Sequence, residues 1–217
     1  MRPLPVERKA AVYTLNRPME VSGVVLAGGR GTRLGQDKAL VEVGGEPLLA
    51  RVVGRLGQVA AEVLVVGRTD GPPLPVPAKF IPDLVPGRAA LGGLYTALSA
   101  AAYPLLVVVA CDMPFINPKL LNYLLDLARN GVDAVVPVVR GEPEPLHAVY
   151  ARACREAAAA QVAAGDLKMA RLLGRLRVRY VPEAELRSLD PELRSFFNIN
   201  TPADLEVARG LAAGRSA

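Results

Sequence analysis

The chain contains no tryptophan, one histidine and two cysteines in 217 residues. With six tyrosines and four phenylalanines besides, it offers few flat faces on which single-stranded bases could stack. The net charge of +5 suits an anionic ligand. The cations are spread along the chain and form no basic block, so nothing points to nucleic acid. A lone His147 is a poor basis for a metal site, and no Ser/His/Asp or Cys/His arrangement can be built around it. It is expected on a late strand, facing core or cleft. Cys111 and Cys154 form no CxxC or Cys/His cluster, so structural zinc is not expected. Cys111 ends an apolar stretch and reads as a small buried residue in a reducing compartment. No run of about 18 apolar residues is present, so no membrane span is expected. The first 20 residues carry Arg2, Glu7, Arg8, Lys9 and Arg17 without an apolar core, unlike a secretory signal. A cytoplasmic protein with no nucleic-acid or membrane partner is expected.

What is present is a globular balance of 51% hydrophobic and 22% charged residues, in a length that suits one domain. The first credible element begins near Val21. Residues 1–20 are therefore read as an N-terminal extension, either a tail or sequence upstream of a start at Met19, and residues 21–213 as a single domain. Val21 to Ala27 and Leu105 to Ala110 are continuous apolar runs, as expected of strands buried on both faces. Further strands are expected at 63–66, 79–81 and 134–139, with helices at 47–56, 91–102 and 119–129. Residues 68–77, with four prolines, must be a loop. Strands separated by helices predict an α/β fold with a doubly wound, mostly parallel sheet. Leu146 to Tyr150 reads as an added, antiparallel strand. Helices at 152–164 and 167–173, a strand at 177–181 and a final helix capped by Thr201 and Pro202 complete the chain.

The most informative segment is Val24-Val25-Leu26-Ala27-Gly28-Gly29-Arg30-Gly31-Thr32-Arg33-Leu34-Gly35-Gln36-Asp37-Lys38. A strand runs into glycines that allow close backbone approach to an anion, and among them stand Arg30, Arg33 and Lys38. This is not a Walker A loop, because Gly35 is followed by Gln36 and Lys38 by Ala39. Nor is it a dinucleotide fingerprint, since Gly29, Gly31 and Gly35 miss the G-x-G-x-x-G spacing by one residue. The loop suits a nucleoside triphosphate.

In an open parallel sheet, ligands bind at the carboxyl ends of the strands. Asp112, just beyond the strongest strand, is the candidate metal ligand, because Mg²⁺ takes one or two carboxylates together with phosphate oxygens and water. The bland alternative is a cap for the helix near Pro118. Arg33 and Lys38 are candidates to neutralise phosphate charge in nucleotidyl transfer. Asp83 either accepts hydrogen bonds from a sugar or base edge or serves as a turn residue before Pro86-Gly87. Gly92 and Gly93 allow either approach to a base or tight helix packing.

The string Leu26-Ala27-Gly28-Gly29, Arg33-Leu34-Gly35 and Asp37-Lys38 resembles the signature of nucleotidyltransferases that activate small molecules with NTPs. The chain is most similar to the MobA-type molybdenum cofactor guanylyltransferases. Asp112-Met113-Pro114, the segment Pro145 to Tyr150 followed by Ala164-Gly165-Asp166, and Asn198-Ile199-Asn200-Thr201-Pro202 agree in order and spacing. The resemblance implies a Rossmann-like fold of the nucleotide-diphospho-sugar-transferase type. It also implies GTP and molybdopterin as substrates, Mg²⁺ as cofactor, and molybdoenzymes or cofactor-pathway proteins as possible partners. By it, Leu26, Ala27, Gly28, Gly29, Lys38, Asp83 and Asp112 would contact GTP. Arg33, Lys38 and Asp112 would be catalytic. Asp112 would hold the metal, with Asn200 as a second ligand or orienter and Asn198 nearby. The acceptor pocket would lie around His147 and the 165–200 region. Gly28-Gly29, where cytidylyl-transferring relatives often have Ala-Gly, favours guanine.

Two departures fall where the base is recognised. The family often has an Asn after the second strand, and here the chain reads Val66-Gly67-Arg68. The usual Gly-Pro-Leu-Ala-Gly reads Ala89-Ala90-Leu91-Gly92-Gly93. The rival readings are a cytidylyl- or guanylyltransferase for another phosphorylated acceptor, or a nucleotide-binding molybdoenzyme partner without turnover.

Overall fold

In the computed structural model, which describes residues 20–28, 37–68 and 74–214, strands and helices alternate from the start. The elements, in chain order, are β1 (Val21–Leu26), β2 (Glu42–Val43), β3 (Glu46–Pro47), α1 (Leu48–Leu56), β4 (Glu62–Val66), β5 (Lys79–Ile81), α2 (Ala89–Ala100), β6 (Leu105–Ala110), α3 (Pro118–Ala128), β7 (Ala134–Val139), β8 (Glu142–Pro143), β9 (His147–Ala151), α4 (Arg155–Ala163), α5 (Met169–Leu173), β10 (Val178–Val181), α6 (Glu183–Arg187) and α7 (Pro202–Ala212). The main sheet runs in the order β10-β7-β9-β6-β1-β4-β5, with β8 hairpinned onto β7. The run β6-β1-β4-β5 is parallel. β9 lies antiparallel to both β6 and β7, and β10 parallel to β7, so the α/β reading with a late antiparallel strand holds.

β1 and β6 sit at the centre because they are apolar apart from Ser22, whose buried hydroxyl donates to Glu62 Oε1 at 2.8 Å. Val24 and Val25 in the first, and Leu106 to Val109 in the second, are essentially inaccessible. Alternation along β1 sends Val21 and Val25 to one core and Val24 to the other. One face is covered by α1, α3, α6 and α7, the other by α2, α4 and α5. Two ends behave as their sequences ask. Asn117, not Asp112, caps α3 by accepting from Lys119 N at 2.9 Å, so the bland reading of Asp112 falls away. Thr201 and Asp204 form a reciprocal capping box on α7, with Pro202 in the first turn.

Several boundaries differ. Pro47 is not the first helical residue; it pairs with Glu42 in a short hairpin around Gly44-Gly45, and α1 starts at Leu48. α2 begins at Ala89, ahead of the expected Leu91. The stretch expected as one helix from Arg152 is a 3-10 turn followed by α4. The expected extension over residues 1–20 lies outside the described residues apart from Glu20. Among the described residues, no helix is long and apolar enough to cross a membrane.

Candidate active site

The carboxyl ends of β1, β4 and β6 meet at one place. Beyond β6, Cys111 N donates to Leu26 O at 3.1 Å and Ile199 N donates to Asp112 O at 3.0 Å. The Asp112 backbone is thus pinned between the first strand and the C-terminal segment. Its side chain points into a cleft of about 360 Å³ lined by Leu26, Ala27, Gly28, Asp37, Lys38 and Asp112, among others. Lys38 Nζ lies 3.2 Å from Asp112 Oδ2 and 3.0 Å from Asn200 Oδ1. Asp112 Oδ1 is buried and has no hydrogen-bond partner among the described residues. A buried anionic oxygen left without a partner is costly, and with Asn200 Oδ1, which accepts from the same Lys38 Nζ as Asp112 Oδ2, it offers the hard oxygens that Mg²⁺ takes. The residues fit that ion. No group of three or more His, Cys, Asp or Glu gathers among the described residues, so a metal here would draw its remaining ligands from substrate and water.

Lys38 is aimed by its neighbours. It opens a 3-10 turn capped by Asp37, whose Oδ1 accepts from Ala39 N at 3.0 Å. The other oxygen of Asp37 is ion-paired with Arg68 Nη1 at the end of β4. Arg68, close to where the family often carries a base-reading Asn, is therefore turned towards the Lys38 turn; its side chain is only 8% exposed. Just before it, Gly67 adopts φ +86, and a Cβ there would stand 2.9 Å from Gly28 Cα. Only glycine lets the end of β4 approach the Gly28 backbone so closely.

A second space of about 670 Å³ continues from the first, sharing Leu26, Gly28, Ala89 and Ala90, and is walled by Gly67, Asp83 and Gly93. The turn reading of Asp83 is borne out. Its Oδ1 accepts from Val85 N at 3.2 Å and lies 2.9 Å from the Thr96 hydroxyl, a turn and an anchor, while the carboxylate still faces the cavity. Gly92 is a packing glycine, and Gly93 both packs and lines this space. A Cβ on Gly92 would meet Arg88 Cβ at 2.8 Å, and one on Gly93 would meet Leu26 Cδ2 at 3.2 Å.

The structure thus gathers Leu26, Ala27, Gly28, Lys38, Asp112 and Asn200 around one cleft, with Asp83 on its extension. Asn198 does not join the Lys38 cluster. It donates to Phe196 O at 3.2 Å and lines a neighbouring cavity. Gly29, Arg30 and Arg33 lie outside the described residues. His147 is fully buried against Phe196, ring centroids 4.6 Å apart, and burial pushes its pKa down to about 4. It is a neutral core residue and does not line the cleft. The 165–180 stretch likewise contributes nothing to the neighbouring cavity, whose walls come from 139–144, 187–198 and α7. Burial, then the nearby Asp112 and Asp37 charges, push Cys111 up to about 12, so its thiol stays protonated. Sequence reasoning missed Arg68, because its partner Asp37 is 31 residues away and the pairing exists only once β1 and β4 are side by side.

The chain matches the MobA-like NTP transferase domain over residues 23–180. It is 42% identical over 194 residues to a probable molybdenum cofactor guanylyltransferase of Pelotomaculum thermopropionicum, covering 89% of this chain and 94% of that one. Among solved structures it is similar to molybdopterin-guanine dinucleotide biosynthesis protein A from Archaeoglobus fulgidus, with TM-score 0.76 and 33% identity over 89% of this chain and 99% of the other. It is also similar to 2-C-methyl-D-erythritol 4-phosphate cytidylyltransferase from Thermus thermophilus, with TM-score 0.66 and 26% identity, covering 88% and 98%.

Proposed function

The chain belongs to the family of MobA-like NTP transferases, and from that premise we propose that it transfers GMP from GTP to the phosphate of molybdenum-bound molybdopterin. The acceptor phosphate oxygen forms a bond to the α-phosphorus of GTP. The bond from that phosphorus to the bridging oxygen breaks, and its electron pair leaves with pyrophosphate. Both reactants are anions, so the main task of the site is to position them and offset their charge. The observation that carries the reading is the Lys38–Asp112–Asn200 cluster beside the Gly28 loop, with one Asp112 oxygen left without a partner among the described residues.

The backbone at Leu26, Ala27 and Gly28 would lie along the nucleotide, with Gly29 and Arg33 continuing the phosphate loop. Lys38 would hold the triphosphate. Mg²⁺ at Asp112, with Asn200 beside it, would supply further charge neutralisation there. Asp83 has one oxygen occupied by its turn and the other available to accept from the adjacent N1–H and N2–H donors of guanine. Cytosine presents no such donor pair, which favours GTP. The reading also implies a cytoplasmic enzyme working with other proteins of the cofactor pathway.

One observation keeps cytidylyl transfer in view. Arg68 is bound to Asp37 and adds no contact to the base space, so Asp83 is the charged side chain on that wall. Pyrophosphate release with Mg²⁺ and molybdopterin, compared for GTP, CTP and ATP, tests the proposal. GTP alone should support it; release with CTP alone would move the reading to the cytidylyltransferases.

A further inference from the structure

Beside the nucleotide cleft lies a cavity of about 640 Å³, walled by Val139, Glu144, Leu193, Phe196, Phe197 and Asn198. Two chain segments tie it to the reacting centre. Glu144 lines the cavity, and two residues on, Leu146 lines the nucleotide cleft and accepts from Ala110 N at 2.9 Å. Asn198 lines the cavity, Ile199 binds the Asp112 carbonyl, and Asn200 holds Lys38. Two residues of extended chain span roughly 7 Å. A molecule seated in the cavity would therefore have its far end within reach of Lys38 and Asp112.

The walls suit a flat, hydrogen-bonding ring. Phe196 is backed by the His147 ring, and Phe197 by Phe115 at 6.0 Å, so both faces are held by packing. Of the charged side chains on its walls, Arg187 is paired with Glu183 and Arg194 with Glu192, while Arg140 and Glu142 are exposed. Glu144 is different. It is half-buried, and its carboxylate has no hydrogen bond or ion pair among the described residues. Burial alone, with no cation to offset it, pushes its pKa above the usual carboxylate value. A partly desolvated carboxylate without a partner calls for donors from a ligand.

We propose that this cavity seats the ring system of the acceptor and that Glu144 reads it, accepting from the adjacent N3–H and 2-amino donors of a 2-amino-4-oxopyrimidine edge. The two carboxylate oxygens match that donor pair, and Phe196 and Phe197 add aromatic wall to the same cavity. Glu144 then selects a pterin-class acceptor over a ring that carries an oxo group at position 2. The inference rests on the nucleotidyl-transfer reading for the direction in which the acceptor phosphate points, and adds the residue that selects the acceptor.

Two fluorescent probes separate the possibilities: pterin, which has the 2-amino group, and lumazine, which has an oxygen there. The wild-type protein should bind pterin about tenfold or more tightly than lumazine, the range expected for a hydrogen bond to a charged group. Glu144→Gln should lose that preference and raise the acceptor KM, with kcat and Mg·GTP affinity retained. Val207→Trp, at the exposed rim of the same cavity, should block pterin while Mg·GTP still binds, which shows that the protein is folded. Equal binding of pterin and lumazine by the wild type, or unchanged pterin binding in Glu144→Gln, would overturn the assignment. Turnover on molybdopterin with an unchanged KM in Glu144→Gln would sink this inference and leave the transferase reading intact. Selective pterin binding without turnover would do the reverse.

Discussion

Replacing Gly67 with alanine would strike the site through the backbone alone. The residue sits at φ +86, and the new methyl would stand 2.9 Å from Gly28 Cα and 3.1 Å from Gly28 N. Holding an L-residue in that region costs about 1–2 kcal/mol. Relieving the contact requires the ends of β1 and β4 to part by roughly half an ångström, an overpacking cost of about 1–3 kcal/mol more. Gly45 is the matched control: it lies at φ +76 with nothing within 4 Å of its would-be methyl, so its alanine variant should lose only the first amount. Because the proposed function sets Gly28 along the nucleotide, Gly67→Ala should also lower kcat/KM for GTP by about tenfold, given that misplacement by about one ångström can cost roughly a hundredfold. Urea denaturation of both variants, with pyrophosphate release from each, measures the two effects. Equal stability losses and equal activity in the two variants would refute the close approach of β4 to the loop.

His147 gives a pH prediction. Its folded pKa, about 4, is depressed from 6.5 by burial, with Asp190 opposing weakly. The unfolded chain therefore binds a proton that the fold excludes between those values, and stability falls as the pH drops from about 6.5 towards 4, by about 3 kcal/mol. His147→Phe should flatten that part of the stability curve, and an unchanged slope would show that another group is responsible. Arg68 and Asp37 give a coupling prediction. If the pair positions Lys38, then Arg68→Ala and Asp37→Asn should each lower kcat/KM and act non-additively in a double-mutant cycle, without altering the GTP/CTP ratio. A changed nucleotide ratio in Arg68→Ala alone would make it a base-reading residue.

Much of the fold was legible because its central strands are long uninterrupted apolar runs, as in β1 and β6, and because Thr201-Pro202 and the Asp204 that follows announce a helix start. Some short elements were not legible. The β2–β3 hairpin has two residues per strand, and α6 has five, too few for a periodicity to show. Pro47 was misread because its position before an apolar run fits a helix start as well as a strand residue. Asp112 and Lys38 could be found from position, being a carboxylate beyond a buried strand and a cation beyond a glycine loop. Asn200 came only through the family resemblance, and its bond to Lys38 spans 162 positions. Nothing in the sequence marks Glu144, which stands between Pro143 and Pro145; the cavity it lines is completed by α7 and the 190s loop, which sequence alone does not bring to it.

The central claim is that the Asp112 carboxylate, with its free oxygen, organises GMP transfer. The direct measurement is pyrophosphate release from GTP and Mg²⁺ in the presence of molybdopterin, in wild type and Asp112→Ala, alongside Mn²⁺ binding to both in the presence of GTP. The account predicts release by the wild type, loss by roughly a hundredfold or more in the variant, and weakened Mn²⁺ binding with the fold unchanged. Full turnover and unaltered Mn²⁺ affinity in Asp112→Ala would contradict it.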